Sequence, residues 1–195
     1  MSDLVRSRSR EPEPASGDKY IIAFEDRAKF TRRQFESPLV IRGPKADSDY
    51  DLGPQGRTFF YMHPVVCKDT CLQEWEVIIR DVRTVSGKHR HQGGLIIFVL
   101  EGHGYTTING VRHDWQEGDL LLLPMMPEGV EHQHFNSTPG KPARWMAMVY
   151  EPIFNGVGTE LEQTGLDAEW AAKTGTTTWQ GAQVVTELVE PGASS

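Results

Sequence analysis

The sequence predicts an all-β protein in which short antiparallel strands form a closed or sandwiched barrel. Between residues 71 and 152, short apolar or alternating segments follow one another closely. Turns separate these segments, and Asn109-Gly110 is the clearest, because both residues tolerate the positive φ of a tight hairpin. The region contains almost no helical periodicity. Many short strands with few helices are typical of antiparallel barrels and sandwiches.

The predicted strands differ in how they face the core. RTFFYMHPVV is rich in aromatic and β-branched residues, which favour extended chain. LIIFVL is apolar at every position, so we expect a strand that is covered on both faces. YTTI and VRHDW flank the Asn-Gly turn and are predicted to form a hairpin. The remaining predicted strands are LQEWEVIIRDVRTV, LLLLP and ARWMAMVYEP.

The composition of the chain changes along its length and predicts four regions. Residues 1–18, rich in Ser, Pro and Glu, are predicted to be a disordered tail. Residues 19–70 are predicted to be an N-terminal arm with a helix and a strand. Residues 71–152 hold the barrel, and residues 153–195 form a C-terminal extension with one helical segment, LDAEWAAK.

Charge and cysteine content narrow the classes of function. Asp and Glu number 27 against 20 Lys and Arg, which gives a formal net charge of -7. A negative chain repels phosphate backbones, so we expect no nucleic-acid partner. The sequence has no run of about 18 apolar residues and no apolar centre of a secretion signal, so we expect no membrane partner. Only Cys67 and Cys71 are present, which predicts no disulfide framework and favours a cytoplasmic location.

Two histidine pairs indicate a metal site. His89 and His91 lie two residues apart, and so do His132 and His134. Because successive side chains of a strand point to opposite faces, the members of each pair share a face. If both pairs face the interior, their imidazoles can bind one Fe, Zn, Ni or Cu ion. Such pairs also occur on solvated strands, but two pairs beside apolar strands favour metal binding.

The residues around these histidines resemble the two sequence motifs of the cupin superfamily. The matching residues are Gly87, His89, His91 and LIIFVLEGHG for the first motif, and Gly118, Asp119, LLLLP, His132 and Asn136 for the second. The resemblance implies a single cupin-type double-stranded β-helix (jelly-roll) barrel with an N-terminal arm and short helices. It also implies a metal that is held by His89, His91 and His132.

One departure from the usual cupin motif narrows the resemblance. The glutamate that commonly completes the metal site would fall at Leu95, which cannot coordinate. Gentisate-type ring-cleaving dioxygenases, a cupin subgroup, show the same departure and are similar in these segments. The likeness implies that His134 lies beside the metal and that an arginine on an earlier strand, for which Arg57 is the candidate, binds substrate. A second arginine of that subgroup would fall at Ile97 and is absent here.

The sequence therefore predicts a metal-dependent cupin oxygenase. The first hypothesis is an Fe(II) dioxygenase that uses O₂ to cleave a hydroxylated aromatic ring or a related chelating substrate, with His134 as the catalytic residue. Trp75, Phe98 and Trp145 are the candidate walls of the substrate pocket. Three imidazoles bind Cu, Ni or Zn at least as tightly as Fe(II), so these metals and Mn are alternatives.

Two other functions and one assembly state are open at this point. A three-histidine cupin can also be a non-redox lyase or isomerase, in which the metal acts as a Lewis acid. A small-ligand-binding cupin is the third hypothesis. The apolar segments YIIAF and FFYM of the N-terminal arm predict packing against a second copy, and therefore a homodimer.

Overall fold

The computed structural model describes residues 18–138, 140–157 and 161–177. The predicted tail before Asp18 and residues 158–160 and 178–195 of the C-terminal extension lie outside the described residues. In the described part, strands predominate, and neighbouring strands of each sheet run antiparallel. This part of the chain contains no helix with the length and apolar character needed to cross a membrane.

The elements are numbered here in chain order. The strands are β1 (Asp51–Gly53), β2 (Gly56–Met62), β3 (Trp75–Val82), β4 (His89–His91), β5 (Leu95–Glu101), β6 (His103–Ile108), β7 (Val111–Gln116), β8 (Leu120–Leu123), β9 (Val130–Asn136), β10 (Ala143–Tyr150) and β11 (Glu162–Gln163). The helices are α1 (Lys19–Glu36), α2 (Glu151–Gly156) and α3 (Ala168–Thr174), and one 3₁₀ turn spans Asp47–Asp49.

The strands form two sheets that together make the predicted jelly-roll barrel. One sheet has the order β1-β2-β3-β10-β5-β8, and the other has the order β11-β4-β9-β6-β7. Neighbours within a sheet come from distant parts of the chain, so that β10 lies between β3 and β5, and β9 lies between β4 and β6. The predicted all-β, jelly-roll fold class is confirmed.

The hairpin between β6 and β7 follows the sequence pattern closely. Its turn residues Asn109 and Gly110 both have positive φ, 48° and 81°, and Ile108 pairs with Val111 across the turn. Asparagine and glycine tolerate this left-handed conformation better than other residues, because their side chains cause little steric conflict. The predicted hairpin is therefore present at the predicted turn.

The apolar core of the barrel comes from alternate residues of both sheets. Each fully buried aliphatic side chain of such a core contributes roughly 1.5–3 kcal/mol relative to an exposed one. The buried cluster consists of Ile78, Val82, Leu95, Ile97, Leu123, Val130, Trp145, Ala147 and Val149.

The prediction that LIIFVL is covered on both faces is wrong. In β5, Leu95 and Ile97 are buried, but Ile96 and Phe98 on the opposite face are 41% and 36% exposed. β5 and β8 lie at one edge of the six-stranded sheet, and only one face of that edge packs on the core. The outer face of β5 is therefore apolar and only partly covered.

Both sheets include residues from outside the 71–152 region. β2 pairs with β3, and β11 pairs with the short strand β4. The hydrogen-bonded sheets therefore extend across the bounds at residues 70 and 152. The division into four regions stays a prediction.

The helix expected in the N-terminal arm is α1. Asp18 caps it, because its carboxylate accepts a hydrogen bond from the Tyr20 N–H at 2.8 Å. The helix carries exposed apolar side chains, including Tyr20, Phe24 and Phe35.

Gly93, between β4 and β5, is needed for close packing of the chain. A Cβ at this position would lie 1.9 Å from the Pro124 carbonyl oxygen, which is far inside van der Waals contact. Next to it, the Gly94 N–H donates to the Leu123 carbonyl at 2.7 Å, with a φ of 81° at Gly94. This close packing fixes the path of the chain directly after β4, the strand that carries His89 and His91.

We expect Gly93→Ala to lower the free energy of unfolding by at least about 2 kcal/mol, because the new methyl group must displace backbone. The measurement is denaturant unfolding of metal-free protein. Gly156→Ala is the matched control, since a Cβ there meets no atom within 4 Å. Equal unfolding midpoints for the two variants would contradict the packing role of Gly93.

Candidate metal centre

The pairing of β4 with β9 brings three histidines together. In this ladder His89 lies opposite His132, and the alternation of β4 turns His91 to the same face. One potential ligand atom from each of the three residues lies within 4.8 Å of the others. The ring centroids of His89 and His132 are 4.2 Å apart, and those of His91 and His132 are 4.6 Å apart. This spacing suits a single metal ion at the centre of the three imidazoles.

Each of these imidazoles is oriented by a backbone carbonyl. The Nδ1 atoms of His89, His91 and His132 lie 3.1, 2.6 and 3.0 Å from carbonyl oxygens of residues 87, 92 and 130. A carbonyl oxygen only accepts, so each Nδ1 carries the proton and donates it. The lone pair of each ring then lies on Nε2, which is the arrangement found in histidines that bind metals.

Burial keeps the three imidazoles neutral. His89, His91 and His132 are 5%, 8% and 3% exposed. Desolvation, with further lowering by neighbouring imidazoles, brings the pKa of His132 to about 3 and holds that of His89 well below its usual value. The pKa of His91 is lowered by the same desolvation. Neutral imidazole is the form that binds a metal, so the site needs no proton release at neutral pH.

The three histidines have no carboxylate among them. In the described residues, the metal-binding group contains only His89, His91 and His132. Leu95, where the resemblance places a glutamate, is buried and lines the same cavity. A divalent ion held here keeps its full charge, which favours anionic chelating ligands in its open positions. The residues present therefore fit a divalent transition metal.

The metal centre opens into a cavity of about 930 Å³ between the two sheets. Its walls combine apolar side chains with about as many polar or charged ones, among them the histidines, Glu76 and Arg80. A concave site in which apolar walls and converging polar groups meet suits a small-molecule ligand. The apolar walls include Phe60, Ile78, Ile97, Ala147, Val149 and Phe154.

His134 lies beside the three-histidine group but outside it. Its side chain is 1% exposed, and its ring centroid is 5.5 Å from that of His132. Its Nδ1 is hydrogen-bonded to the Thr106 hydroxyl at 2.7 Å. Burial holds the pKa of His134 well below its ordinary value, so the ring is neutral. The catalytic role of His134 stays a prediction, and its position is compatible with contact to a metal-bound ligand.

Of the four residues predicted to bind substrate, one lines the cavity and three lie outside it. Trp145 is 4% exposed and lines the cavity. Phe98 lies on the outer face of β5, and Trp75 lies on the face of β3 opposite to the cavity-lining Glu76. Arg57 forms an ion pair with Glu169 of α3.

Only Trp145 of these four is therefore kept in the proposed site. The other three face away from the cavity because side chains alternate along a strand, so that only one residue of each neighbouring pair can point into it. Sequence alone did not indicate which of the two faces the interior.

Arg80 is a cavity residue that sequence reasoning missed. It is 7% exposed, and its guanidinium donates to Gln55 Oε1 at 2.7 Å and to the Thr58 hydroxyl. None of the ion pairs found among the described residues includes it. Burial lowers its pKa to about 10, so it remains a cation at neutral pH. The signal in the sequence was the alternation of WEVIIRDV, which puts Arg80 on one face with Ile78.

A pair of carboxylic acids was also missed. Glu76 and Glu151 both line the cavity. Burial, followed by hydrogen bonding and repulsion from Glu151, raises the pKa of Glu76 to about 7. Glu76 Oε2 also lies 3.8 Å from His63 Nε2. The cavity thus contains a carboxyl group that can gain or lose a proton near neutral pH.

Comparisons with known proteins agree with this geometry. Residues 77–149 match the model of the Cupin domain family. A gentisate 1,2-dioxygenase from Streptomyces sp is 33% identical over 86 residues, which are 44% of this chain and 23% of that protein. A 5-aminosalicylate 1,2-dioxygenase from Comamonas sp is 29% identical over 75 residues, which are 38% of this chain and 19% of that protein.

A solved structure is also similar. It is a salicylate 1,2-dioxygenase from Pseudoaminobacter salicylatoxidans, in adducts with gentisate, with 23% identity and a TM-score of 0.46, covering 72% of this chain and 36% of that one. The matched segments span less than a quarter of the length of the two curated relatives. The segment 77–149, which carries the three histidines in two antiparallel sheets, is therefore similar to a cupin domain.

Proposed function

We propose that this protein is a non-haem Fe(II) dioxygenase that cleaves a hydroxylated aromatic ring or a related chelating substrate. The observation that carries the proposal is the centre of three neutral histidines without a carboxylate. Relatives named as gentisate and 5-aminosalicylate 1,2-dioxygenases support it. His89, His91 and His132 would hold the iron.

The donor set favours a substrate that brings its own negative charge. Iron, when bound, supplies Lewis acidity and a path for electrons between substrate and O₂. The three imidazoles contribute no charge, so two adjacent oxygens of the substrate, one of them deprotonated, would complete the site. His134, neutral and buried beside His132, would contact the substrate at the metal.

Arg80 would bind an anionic group of the substrate, such as a carboxylate. It lies on β3 in the same row across the sheet as Thr58 and Trp145. The charges of Glu76 and Asp167 act on Arg80, but its guanidinium donates to Gln55 and Thr58 and makes no direct carboxylate contact among the described hydrogen bonds. An incoming anion would add such a contact. The apolar walls would hold the aromatic ring and exclude water from the reacting atoms.

A second candidate function is supported by the Glu76–Glu151 pair. A carboxyl group with a pKa of about 7 can act as a general acid or base without O₂. With Zn, Ni, Mn or Cu at the three histidines, such a group would suit a non-redox lyase or isomerase. If the protein only binds a small ligand, the metal centre and the Glu76–Glu151 pair would contact that ligand without catalysing a reaction. The homodimer and the cytoplasmic location stay predictions.

The dioxygenase proposal is tested by O₂ uptake of protein loaded anaerobically with Fe(II). We expect uptake of one O₂ for each substrate molecule with a member of a panel of hydroxybenzoates, hydroquinones and diketones. Zn(II)-loaded protein should bind the same substrate without uptake. Substrate conversion by the Zn(II) form, with no uptake by the fully loaded iron form, would support the non-redox alternative instead.

The role of Arg80 is tested by comparing Arg80→Gln with Arg57→Gln. Losing a charge-assisted hydrogen bond costs about 1.5–3 kcal/mol, so Arg80→Gln should weaken gentisate binding to the Zn(II) form by about 10- to 100-fold. Its affinity for hydroquinone, which lacks the carboxylate, should change much less. Calorimetry provides the dissociation constants.

Arg57→Gln is the matched control, because Arg57 pairs with Glu169 outside the cavity. It should leave both dissociation constants unchanged. A selective loss of gentisate binding in the Arg57 variant, with none in the Arg80 variant, would contradict the assignment.

A further inference from the structure

The cavity has a basic end and an acidic end, which are separated along one strand. Glu76, Ile78 and Arg80 of β3 all line it, because alternate residues of a strand share a face. β3 pairs with β10 without a register shift, so the four-residue step from Glu76 to Arg80 covers about 13 Å of extended chain. A ligand that contacts both ends is therefore elongated and carries different polar groups at its two ends.

The basic end contains a donor that the described residues leave unsatisfied. Trp145 lies opposite Arg80 in the ladder between β3 and β10, is 4% exposed and lines the cavity. Its Nε1 has no hydrogen-bond partner among the described residues, although buried polar groups are normally satisfied. The Arg80 guanidinium carbon lies 5.9 Å from the centroid of the Trp145 ring. An indole N–H beside a cation indicates a ligand with an acidic oxygen at this end.

The acidic end contains two carboxyl groups in contact with each other. Glu76 of β3 and Glu151 of α2 are hydrogen-bonded, and both line the cavity. Asn155 Nδ2 donates to Glu151 Oε2 at 2.8 Å, which holds that side chain in place. Burial, followed by the hydrogen bond with Glu151 and repulsion from it, raises the pKa of Glu76 to about 7. The pair therefore gains or loses one proton near neutral pH.

His63 borders the carboxyl pair as a neutral ring. The backbone N–H groups of Val65 and Val66 lie 3.0 and 3.2 Å from its Nδ1, and an amide N–H only donates, so the neutral ring carries its proton on Nε2. Nε2 lies 3.8 Å from Glu76 Oε2, which is beyond direct hydrogen-bond distance. Burial lowers the pKa of His63, so the ring is neutral at pH 7. Among the described ion pairs, no lysine or arginine contacts Glu76 or Glu151.

We propose that Glu76 and Glu151 form a subsite for a primary ammonium group, in a cavity whose ligand has its acidic oxygens at the metal centre and Arg80. An ammonium group brings a positive charge and three N–H donors, which match two adjacent carboxyls. The metal-binding group found among the described residues contains neither carboxyl, which favours an ammonium over a second metal ion.

The inference deepens the proposed function and rests on it for the acidic part of the ligand. It names the substrate class as a hydroxylated aromatic ring with an aminoalkyl side chain. The ring oxygens would lie at the three-histidine centre, and the side chain would reach along β3 to Glu76. Opposite charges at the two ends of the cavity would then be matched by opposite charges on one ligand.

The subsite is tested with two catechols that differ in one group. 4-(2-Aminoethyl)catechol and 4-ethylcatechol offer the same adjacent oxygens to the metal, and only the first carries an ammonium. We expect the Zn(II)-loaded protein, kept anaerobic, to bind the amine about 10- to 100-fold more tightly, the effect of one charge-assisted hydrogen bond. Calorimetry provides both dissociation constants.

Glu76→Gln and Glu151→Gln each keep the shape of the side chain and remove one carboxylate. Each should weaken binding of the aminoethyl probe by about tenfold or more and leave binding of 4-ethylcatechol unchanged. Glu117→Gln is the matched control, because Glu117 is exposed and does not line the cavity. It should change neither constant. If one cavity variant does not fold, the other variant and the wild-type comparison still decide the matter.

The preference for the amine should increase with pH. The titratable and charged groups that face Glu76 are Glu151, His63 and Arg80. As the pH rises through about 7, Glu76 loses its proton and offers the ammonium a second carboxylate, so the ratio of the two dissociation constants should grow. Titration of the catechol oxygens is common to both probes and cancels in the ratio. Glu76→Gln should abolish the increase.

Equal affinity of the wild-type protein for the two catechols would overturn the subsite. Equal losses for both probes in Glu76→Gln and in Glu151→Gln would overturn it as well. Failure of the proposed function gives a different result: absent O₂ uptake by the iron form, with the preference for the amine intact, would reject the dioxygenase and keep the subsite. O₂ uptake without that preference would reject the subsite alone.

Discussion

The ladder between β4 and β9 is the constraint on which the rest of the site depends. It sets His89 opposite His132 and, through the alternation of a strand, turns His91 toward the same point. A shift of one residue would turn the histidines of one strand to the outer face. β4 has only three residues, so its register relies on its flanks: β11 on one side, and the packing of Gly93 against Pro124 beyond its end.

Electrostatics gives this geometry its chemical character. Burial keeps the histidines neutral, and the carbonyls that accept from Nδ1 leave Nε2 free for a metal. The one buried arginine of the cavity, Arg80, lacks a carboxylate hydrogen bond among the described residues. A divalent ion and this guanidinium would be positive charges in a cavity whose wall also carries the carboxyl groups of Glu76 and Glu151. The proposed function rests on their attraction for an anionic, oxygen-rich ligand.

Much of the fold and of the metal centre was predictable, because both depend on local patterns. The Asn109-Gly110 turn needs positive φ, and histidines two residues apart on a strand must share a face. The choice between faces was not predictable, since it depends on packing between distant strands. Arg57 and Arg80 occupy neighbouring strands, and only the folded chain shows that Arg80 faces the cavity. The contact of Thr106 with His134 likewise joins strands whose order a sequence does not reveal.

The central claim is that imidazoles from two separate strands bind one cation, and metal stoichiometry after substitution tests it most directly. The account predicts about one metal ion per chain for the parent protein and for His113→Ala, whose side chain is exposed on β7. It predicts almost none for His91→Ala and for His132→Ala, each measured on folded protein by elemental analysis. Retention of the full metal content by either of the last two variants would contradict the account.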